Sequence, residues 1–168
     1  NHSSGALIGA EALVRWHHPK KGIIAPSLFI PMFERNGFIY EVDKYIWEQA
    51  CILLKKWIGE GRNPLPVSVN VSRYDVFRED FYETLIGLIE HYKIPFDLLR
   101  IEITESAFSR STEQIVGVVK KLISFGLTIE IDDFDEHGKV ELLKSLVKTA
   151  NKRLRNFKEQ DLSALSVK

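Results

Sequence analysis

The chain is poor in sulfur and has no long apolar segment. Its 168 residues include one cysteine, Cys51, and one methionine. A single cysteine cannot form an intramolecular disulfide or a multi-thiolate zinc site, and Cys51 lies in an amphipathic helical pattern that predicts a core position. No stretch approaches the roughly 20 apolar residues of a transmembrane helix, and the first residues lack the pattern of a signal peptide. These absences predict a cytoplasmic protein with no membrane segment.

Neither sign of charge is in excess, but the two signs are unevenly distributed. Residues 1–136 carry 15 basic and 20 acidic side chains, whereas residues 137–168 carry 8 basic and 3 acidic ones. The acidic part is expected to hold a site that a cation neutralises. For the basic part we favour a solvated helix face over contact with a membrane or nucleic acid, so no DNA partner is predicted.

Short apolar segments alternate with helical patterns. Strands are predicted at residues 6–13, 67–72, 99–104 and 127–132, and helices at residues 26–33, 42–58, 81–92 and 115–123. His17, His18 and Pro19 are expected in a loop after the first strand, and neither histidine is expected to bind a metal. Regular alternation of strand and helix predicts a parallel sheet with helices outside.

Polar residues recur at or near the ends of the predicted strands. They are Glu11, Asn70, Glu102 and Asp132. Side chains two residues apart share a face of a strand, so the polar face of each strand is expected to point into a barrel interior. Oxygen ligands gathered there, with no thiol, suit Mg²⁺ or Mn²⁺.

Five short motifs occur in order along residues 6–134. They are Glu11-Ala12-Leu13-Val14-Arg15-Trp16, the segment from Gly22 through Pro26 to Phe29-Ile30-Pro31, Asn70-Val71-Ser72, Glu102-Ile103-Thr104-Glu105-Ser106 and Asp132-Asp133-Phe134. In order and spacing these motifs resemble the EAL domains, which are cyclic di-GMP phosphodiesterases with a TIM-like barrel. The resemblance implies an α/β fold, a partial TIM-like (β/α) barrel of the EAL type.

The resemblance also implies roles for individual residues. The implied metal ligands are Glu11, Asn70, Glu102, Asp132 and Asp133. Arg15 would hold a phosphate of the nucleotide and Pro26 would line the substrate groove. The implied catalytic residues are Glu11, Asp133 and Glu105, of which Glu105 helps to organise the site. With Mg²⁺ or Mn²⁺ bound, the implied reaction is hydrolysis of cyclic di-GMP to the linear dinucleotide pGpG.

The chain departs from the family at two places. After Phe134 the family has a loop rich in glycine and serine, whereas this chain has Asp135-Glu136-His137-Gly138-Lys139. Glu130 is the second departure, because its strand parity directs a carboxylate inward. If buried and unpaired, that carboxylate would lower the stability of the fold by an amount on the order of several kcal/mol, or it would stay protonated.

The pattern after the last predicted strand is helical. A complete barrel takes about 250 residues, whereas this chain has about four strong strands followed by one amphipathic helical pattern at residues 140–157. We therefore predict a partial EAL domain at residues 1–136 and a divergent basic helical tail at residues 137–168. The open sheet is expected to pair with a partner domain or a second copy of the chain.

Three functions agree with this sequence. The chain is a metal-dependent phosphodiesterase, a non-catalytic module that binds cyclic di-GMP, metal or a regulatory partner, or a disrupted copy without activity. The motifs that supply the family's water-activating lysine, a later glutamate and a nucleotide-binding glutamine are not found. We therefore expect the isolated chain to hydrolyse cyclic di-GMP weakly or not at all.

Overall fold

Parallel strands with helices between them make up most of the structure. In the computed structural model, residues 7–104 and 112–132 are described, and all of them fall within one compact unit that spans residues 1–133. In chain order the elements are β1 (Ala10–Ala12), β2 (Trp16–His18), β3 (Gly22–Ile24), α1 (Pro26–Asn36), α2 (Ile39–Gly59), β4 (Val67–Val71), α3 (Phe81–Tyr92), a 3₁₀ turn (Phe96–Leu98), β5 (Leu99–Thr104), α4 (Thr112–Ser124) and β6 (Thr128–Asp132). The predicted helical tail and the segment after Phe134 lie outside the described residues.

The main sheet has four strands in the order β1-β4-β5-β6. All three neighbouring pairs are parallel. Each step between parallel neighbours passes through at least one helix, as a parallel connection requires. The predicted alternation and the predicted parallel sheet are therefore confirmed for the described residues.

The core lies between the sheet and its helices. Val67, Val69 and Val71 alternate along β4 and are at most 3% exposed, while Ile101 and Ile103 on β5 are fully buried. The long helix α2 packs on β4 and buries Trp47 completely. Cys51, on the same side of α2, is also fully buried, as its helical pattern predicts. The apolar faces of the strands thus lie under the helices, and the polar faces point away from them.

Local sequence explains where α1 begins and ends. Pro26 occupies the first turn of α1, where a missing backbone N–H costs nothing. Gly37 follows the helix with a φ of 77° and donates its N–H to the carbonyl of Glu34. Glycine adopts this left-handed conformation without strain, so the chain turns directly into α2.

The predicted loop at His17 and His18 is wrong. Trp16–His18 forms β2, which pairs antiparallel with β3 in a separate two-stranded sheet. The Trp16 ring contacts the rings of Phe29 and Phe33 on α1, with centroid distances of 5.7 and 5.9 Å. These aromatic contacts pack β2 against α1. The first strand is also shorter than predicted, since β1 pairs with β4 only over Ala10–Ala12.

Glu130 lies on the polar face of the sheet, as its strand parity predicts, and its carboxylate is paired. Its Oε1 accepts a hydrogen bond from Nη1 of Arg100 at 2.8 Å, and its Oε2 accepts one from Oγ of Ser68 at 2.5 Å. The three residues come from β6, β5 and β4 and lie on the polar face of the sheet. Both carboxylate oxygens are thus satisfied, and the charge is balanced by the guanidinium of Arg100.

We predict that Arg100→Ala lowers the free energy of unfolding by about 1–2 kcal/mol, because Glu130 then keeps only the Ser68 hydrogen bond. The side chains of Arg100 and Glu130 are 24% and 37% exposed, so solvent screens part of the loss. Urea unfolding followed by tryptophan fluorescence measures the change. The exposed pair of Arg62 and Glu60 provides the control, and Arg62→Ala should change stability by less than about 0.5 kcal/mol. Equal effects of the two substitutions would contradict the prediction.

Candidate functional site

Glu11 and Asn70 meet on the polar face of the main sheet. Nδ2 of Asn70 donates a hydrogen bond to Oε1 of Glu11 at 2.8 Å. This bond orients the amide and leaves its Oδ1 available as an acceptor. Nε1 of the buried Trp47 donates to the main-chain oxygen of Asn70 at 2.9 Å, which fixes β4 against α2 at this position. The sequence therefore places an amide oxygen and a carboxylate side by side on a rigid support.

Glu102 lies on the strand next to Asn70. The two residues are partners in the parallel register of β4 and β5. Neighbouring strands are about 4.8 Å apart, so side chains on one face at paired positions are close neighbours. Three of the predicted ligands, Glu11, Asn70 and Glu102, thus come from three adjacent strands.

The remaining predicted site residues are described in part or not at all. The backbone of Asp132 ends β6 and pairs in register with Thr104 of β5. Its side chain lies outside the described residues, as do Glu105 and Asp133. Among the side chains that are described, no three His, Cys, Asp or Glu residues cluster closely enough to hold a metal ion. Any metal site here therefore needs the amide of Asn70 or carboxylates beyond the described set.

A groove of about 310 Å³ adjoins this pair. Arg15 and Pro26 line the groove together with Glu11 and Asn70. Arg15 is exposed, and its Nη1 donates to the carbonyl of Val14 at 2.8 Å. The other lining residues divide into an apolar wall and a polar set. The wall includes Ile30, Ile39 and Ile46, and the polar set includes Glu34, Asp43, Ser72 and Arg73.

The groove also involves a carboxyl pair that the sequence analysis missed. Asp43 of α2 and Asp75 after β4 are buried, at 9% and 0% exposure, and their carboxyl groups interact with each other. Burial raises the pKa of Asp43 to about 9, and the hydrogen bond and the negative charge of Asp75 act in the same direction. Burial also raises the pKa of Asp75. One signal was available, because Asp43 lies four residues before Trp47 on the buried stripe of α2.

This geometry defines a class of protein. A parallel α/β sheet with carboxylate and amide oxygens on adjacent strands, beside a groove, is typical of βα-barrel domains, whose sites lie at the C-terminal ends of the strands. The chain belongs to the EAL domain family, which it matches over residues 1–148. No described helix is both long enough and apolar enough to cross a bilayer.

Relatives and solved structures support the family assignment. The chain is 29% identical over 131 residues to the bifunctional diguanylate cyclase/cyclic di-GMP phosphodiesterase MucR of Pseudomonas aeruginosa, which covers 78% of this chain and 19% of MucR. It is 32% identical over 132 residues to the cyclic di-GMP phosphodiesterase PA2567 of the same organism, covering 78% and 22%. The PaMucR phosphodiesterase in complex with c-di-GMP superimposes with a TM-score of 0.74 at 29% identity, over 79% of this chain and 53% of that chain.

The chain thus spans about a fifth of these two curated relatives and about half of the solved phosphodiesterase. The predicted family and the predicted fold class, a partial α/β barrel of the EAL type, are both confirmed.

The carboxyl pair gives a prediction about stability and pH. Asp43 has an ordinary pKa of 3.8 when unfolded and about 9 when folded, so folding takes up a proton between these values. Wild-type stability should therefore fall as pH rises through that window, with a slope of at most about 1.4 kcal/mol per pH unit. Asp43→Asn needs no proton. Its stability relative to the wild type should increase steadily with pH.

Urea unfolding at about pH 5, 7 and 9 tests this dependence. Asp97→Asn, a change at an exposed aspartate, is the control and should show no such trend. A constant difference between Asp43→Asn and the wild type at all three pH values would contradict the prediction.

Proposed function

We propose that this chain forms the metal-binding and nucleotide-binding part of an EAL phosphodiesterase site, and that its reaction is the hydrolysis of cyclic di-GMP to linear pGpG. The observation that carries the proposal is the hydrogen bond between Asn70 and Glu11 beside a groove that Arg15 and Pro26 also line. Two relatives are named as cyclic di-GMP phosphodiesterases, and one similar structure is a c-di-GMP complex.

The donor atoms on the sheet fit a hard divalent cation. EAL phosphodiesterases in general depend on a divalent metal. Glu11, Asn70 and Glu102 offer only oxygen, once the amide nitrogen of Asn70 is engaged with Glu11. Oxygen ligands favour Mg²⁺ or Mn²⁺. We propose that these three residues hold the ion together with Asp132 and Asp133. A bound ion would lower the pKa of a water molecule and offset charge on the phosphate.

The groove residues would orient the nucleotide. The Arg15 guanidinium can donate two parallel hydrogen bonds to a phosphate. Pro26 and the isoleucine wall would cover the apolar parts of the ligand, and Glu105 would organise the site. In the reaction, a water oxygen bonds to phosphorus as the bond to the 3′ oxygen breaks, and a proton ends on that oxygen. Glu11 and Asp133 are the proposed catalytic carboxylates.

We further propose that the 168-residue chain by itself turns over slowly. None of the described residues that line the groove is a lysine. General-base assistance contributes about 10²–10⁴-fold to such reactions. A non-catalytic module that binds the nucleotide or the metal is the second candidate, because binding needs only the ligands and Arg15.

The same proposal includes a cytoplasmic location and a partner for the sheet. Among residues 7–104 and 112–132, no strand pairs with the outer edge of β1 or of β6. Leu7 and Ile8, just before β1, are 76% and 56% exposed. Unpaired strand edges beside apolar residues favour association, so a homodimer or a partner domain would cover them.

The oligomeric proposal predicts a mass above that of one chain. Size-exclusion chromatography with light scattering should give at least a dimer at micromolar concentration, and the mass should fall on dilution. A Leu7→Lys/Ile8→Lys variant should shift the population toward the monomer. A stable, well-dispersed wild-type monomer would rule out self-association.

Binding and turnover test the site. We expect calorimetry to detect cyclic di-GMP binding in the presence of Mn²⁺, and Arg15→Ala to weaken it by about tenfold or more, because a charge-assisted hydrogen bond is lost. The control is Arg62→Ala, a change at an exposed arginine that does not line the groove, and it should leave the affinity unchanged. Chromatography should detect slow formation of linear pGpG that Glu11→Ala abolishes.

The outcomes separate the candidate functions. Binding without any product supports the non-catalytic module. If the chain neither binds cyclic di-GMP nor forms product, both candidate functions are overturned, and the chain is a disrupted copy without activity. Fast turnover that Glu11→Ala does not affect would contradict the proposed metal site.

A further inference from the structure

The turn that follows β4 forms part of the groove wall. Ser72 and Arg73 line the groove. The N–H groups of Asp75 and Val76 both donate to the carbonyl of Ser72, at 3.0 and 3.4 Å, and the N–H of Tyr74 donates to Oγ of Ser72 at 3.0 Å. Ser72 is therefore the centre of a compact turn, and the position of the turn decides where Arg73 lies.

The side chain of Asp75 stabilises this turn. Its Oδ2 accepts a hydrogen bond from the N–H of Ser72 at 3.1 Å. The residue is fully buried, and its Oδ1 finds no donor among the described side chains and backbone unless a neighbouring carboxyl carries a proton. That neighbour is Asp43 of α2, whose carboxyl group interacts with that of Asp75. A hydrogen bond between two carboxyl groups needs a proton on one of them.

The surroundings favour that proton. Glu34 of α1 adds negative charge to both carboxyl groups and so favours the proton, whereas the N–H that Ser72 donates to Asp75 favours the ionised form and opposes it. Arg78 lowers the pKa of Asp75, but it is exposed and paired with Asp80 at 2.9 Å. Two buried like charges cannot both be ionised at low cost.

Arg73 has a defined orientation at the end of this arrangement. Its guanidinium lies 4.8 Å from the ring centroid of Tyr74, and its Nη2 donates to the Tyr74 hydroxyl at 2.9 Å. It is half-buried, whereas Arg15 of the same groove is exposed. Cyclic di-GMP has two phosphates, and the groove offers two arginines.

We propose that Asp43 and Asp75 are positioning residues of the nucleotide groove. Their shared proton fastens the turn at residues 72–76 to α2, and the turn holds Arg73 where it contacts the second phosphate of the dinucleotide. This inference rests on the proposed function for its ligand. The carboxyl pair itself does not depend on that function.

Four single variants test the pair. Asp43→Asn and Asp75→Asn each replace the shared proton with an amide N–H that donates to the remaining carboxylate. Asp43→Ala removes the link, and Asp97→Asn is the control at an exposed aspartate. In the presence of Mn²⁺, Asp43→Ala should weaken cyclic di-GMP binding about tenfold, whereas both Asn variants should stay within about twofold of the wild type. Mn²⁺ affinity measured without nucleotide should not change.

Two measurements need no nucleotide. Hydrogen exchange should show loss of protection at the Ser72 amide in Asp43→Ala but not in the two Asn variants. Infrared spectroscopy at about pH 7 should detect a protonated carboxyl group in the wild type that is lost in Asp43→Asn.

Each result has a consequence. If the Ser72 amide exchanges at the same rate in Asp43→Ala as in the wild type, or if the wild type shows no infrared band of a protonated carboxyl group, Asp43 and Asp75 do not share a proton. Loss of affinity in Asp43→Asn equal to that in Asp43→Ala would overturn its positioning role. If Asp43→Ala does not fold, the binding affinity of Asp75→Asn and the infrared band of the wild type still test whether Asp43 and Asp75 share a proton. If the wild type binds no cyclic di-GMP, the proposed function fails, while exchange and infrared spectroscopy still test the pair.

Discussion

The hydrogen bond from Trp47 to the main chain of Asn70 connects the core of this domain to its site. Trp47 is fully buried and contacts the rings of Tyr40 and Phe81 edge to face. It therefore joins α2 and α3 through its ring and β4 through its Nε1. Because a buried indole N–H needs an acceptor, the position of β4 along α2 is fixed at the residue that contacts Glu11. The same packing that stabilises the fold thus aligns the site.

The domain stabilises its inward carboxylates in three different ways. Glu11 accepts from an amide, Glu130 is paired with Arg100 and Ser68, and Asp43 shares a proton with Asp75. Each solution follows from burial. Where water reaches the group, a neutral amide is sufficient, and a half-buried carboxylate is paired with a cation. At full burial a proton is the less costly neutralising charge.

Sequence patterns predicted the parts of the fold that depend on strict periodicity. The alternation at residues 67–72 locates β4 within one residue, and β5 begins and ends where the apolar pattern predicts. Strand parity also placed Asn70 and Glu102 on one face, and the register makes them partners. The short β2 was missed because three residues are too few to show a periodic pattern, and its pairing with β3 lies outside the segment itself.

The carboxyl pair was missed for a related reason. Asp43 and Asp75 are 32 positions apart, and aspartate is usually a surface residue. Only the tertiary contact between α2 and the turn after β4 makes them a pair. The partner of Glu130 was likewise unpredictable, because Arg100 is two residues from the Glu102 motif on a neighbouring strand. Pairings across strands and helices are tertiary facts that periodicity does not encode.

The proposed metal ligands and the arginines of the site lie on different kinds of structural element, strands and connecting segments. The proposed metal ligands Glu11, Asn70 and Glu102 lie within strands, whereas Arg15 and Arg73 lie in the segments that follow β1 and β4. A metal site tolerates little variation in ligand distance, so its donors belong on the most rigid backbone. A phosphate can be bound by a long guanidinium over a wider range of positions, so its donors can come from connecting segments. Such segments then need their own attachment, and at Arg73 the bond between Asp43 and Asp75 supplies it. Strand register therefore explains the arrangement of the carboxylates, while buried polar contacts explain that of the arginine.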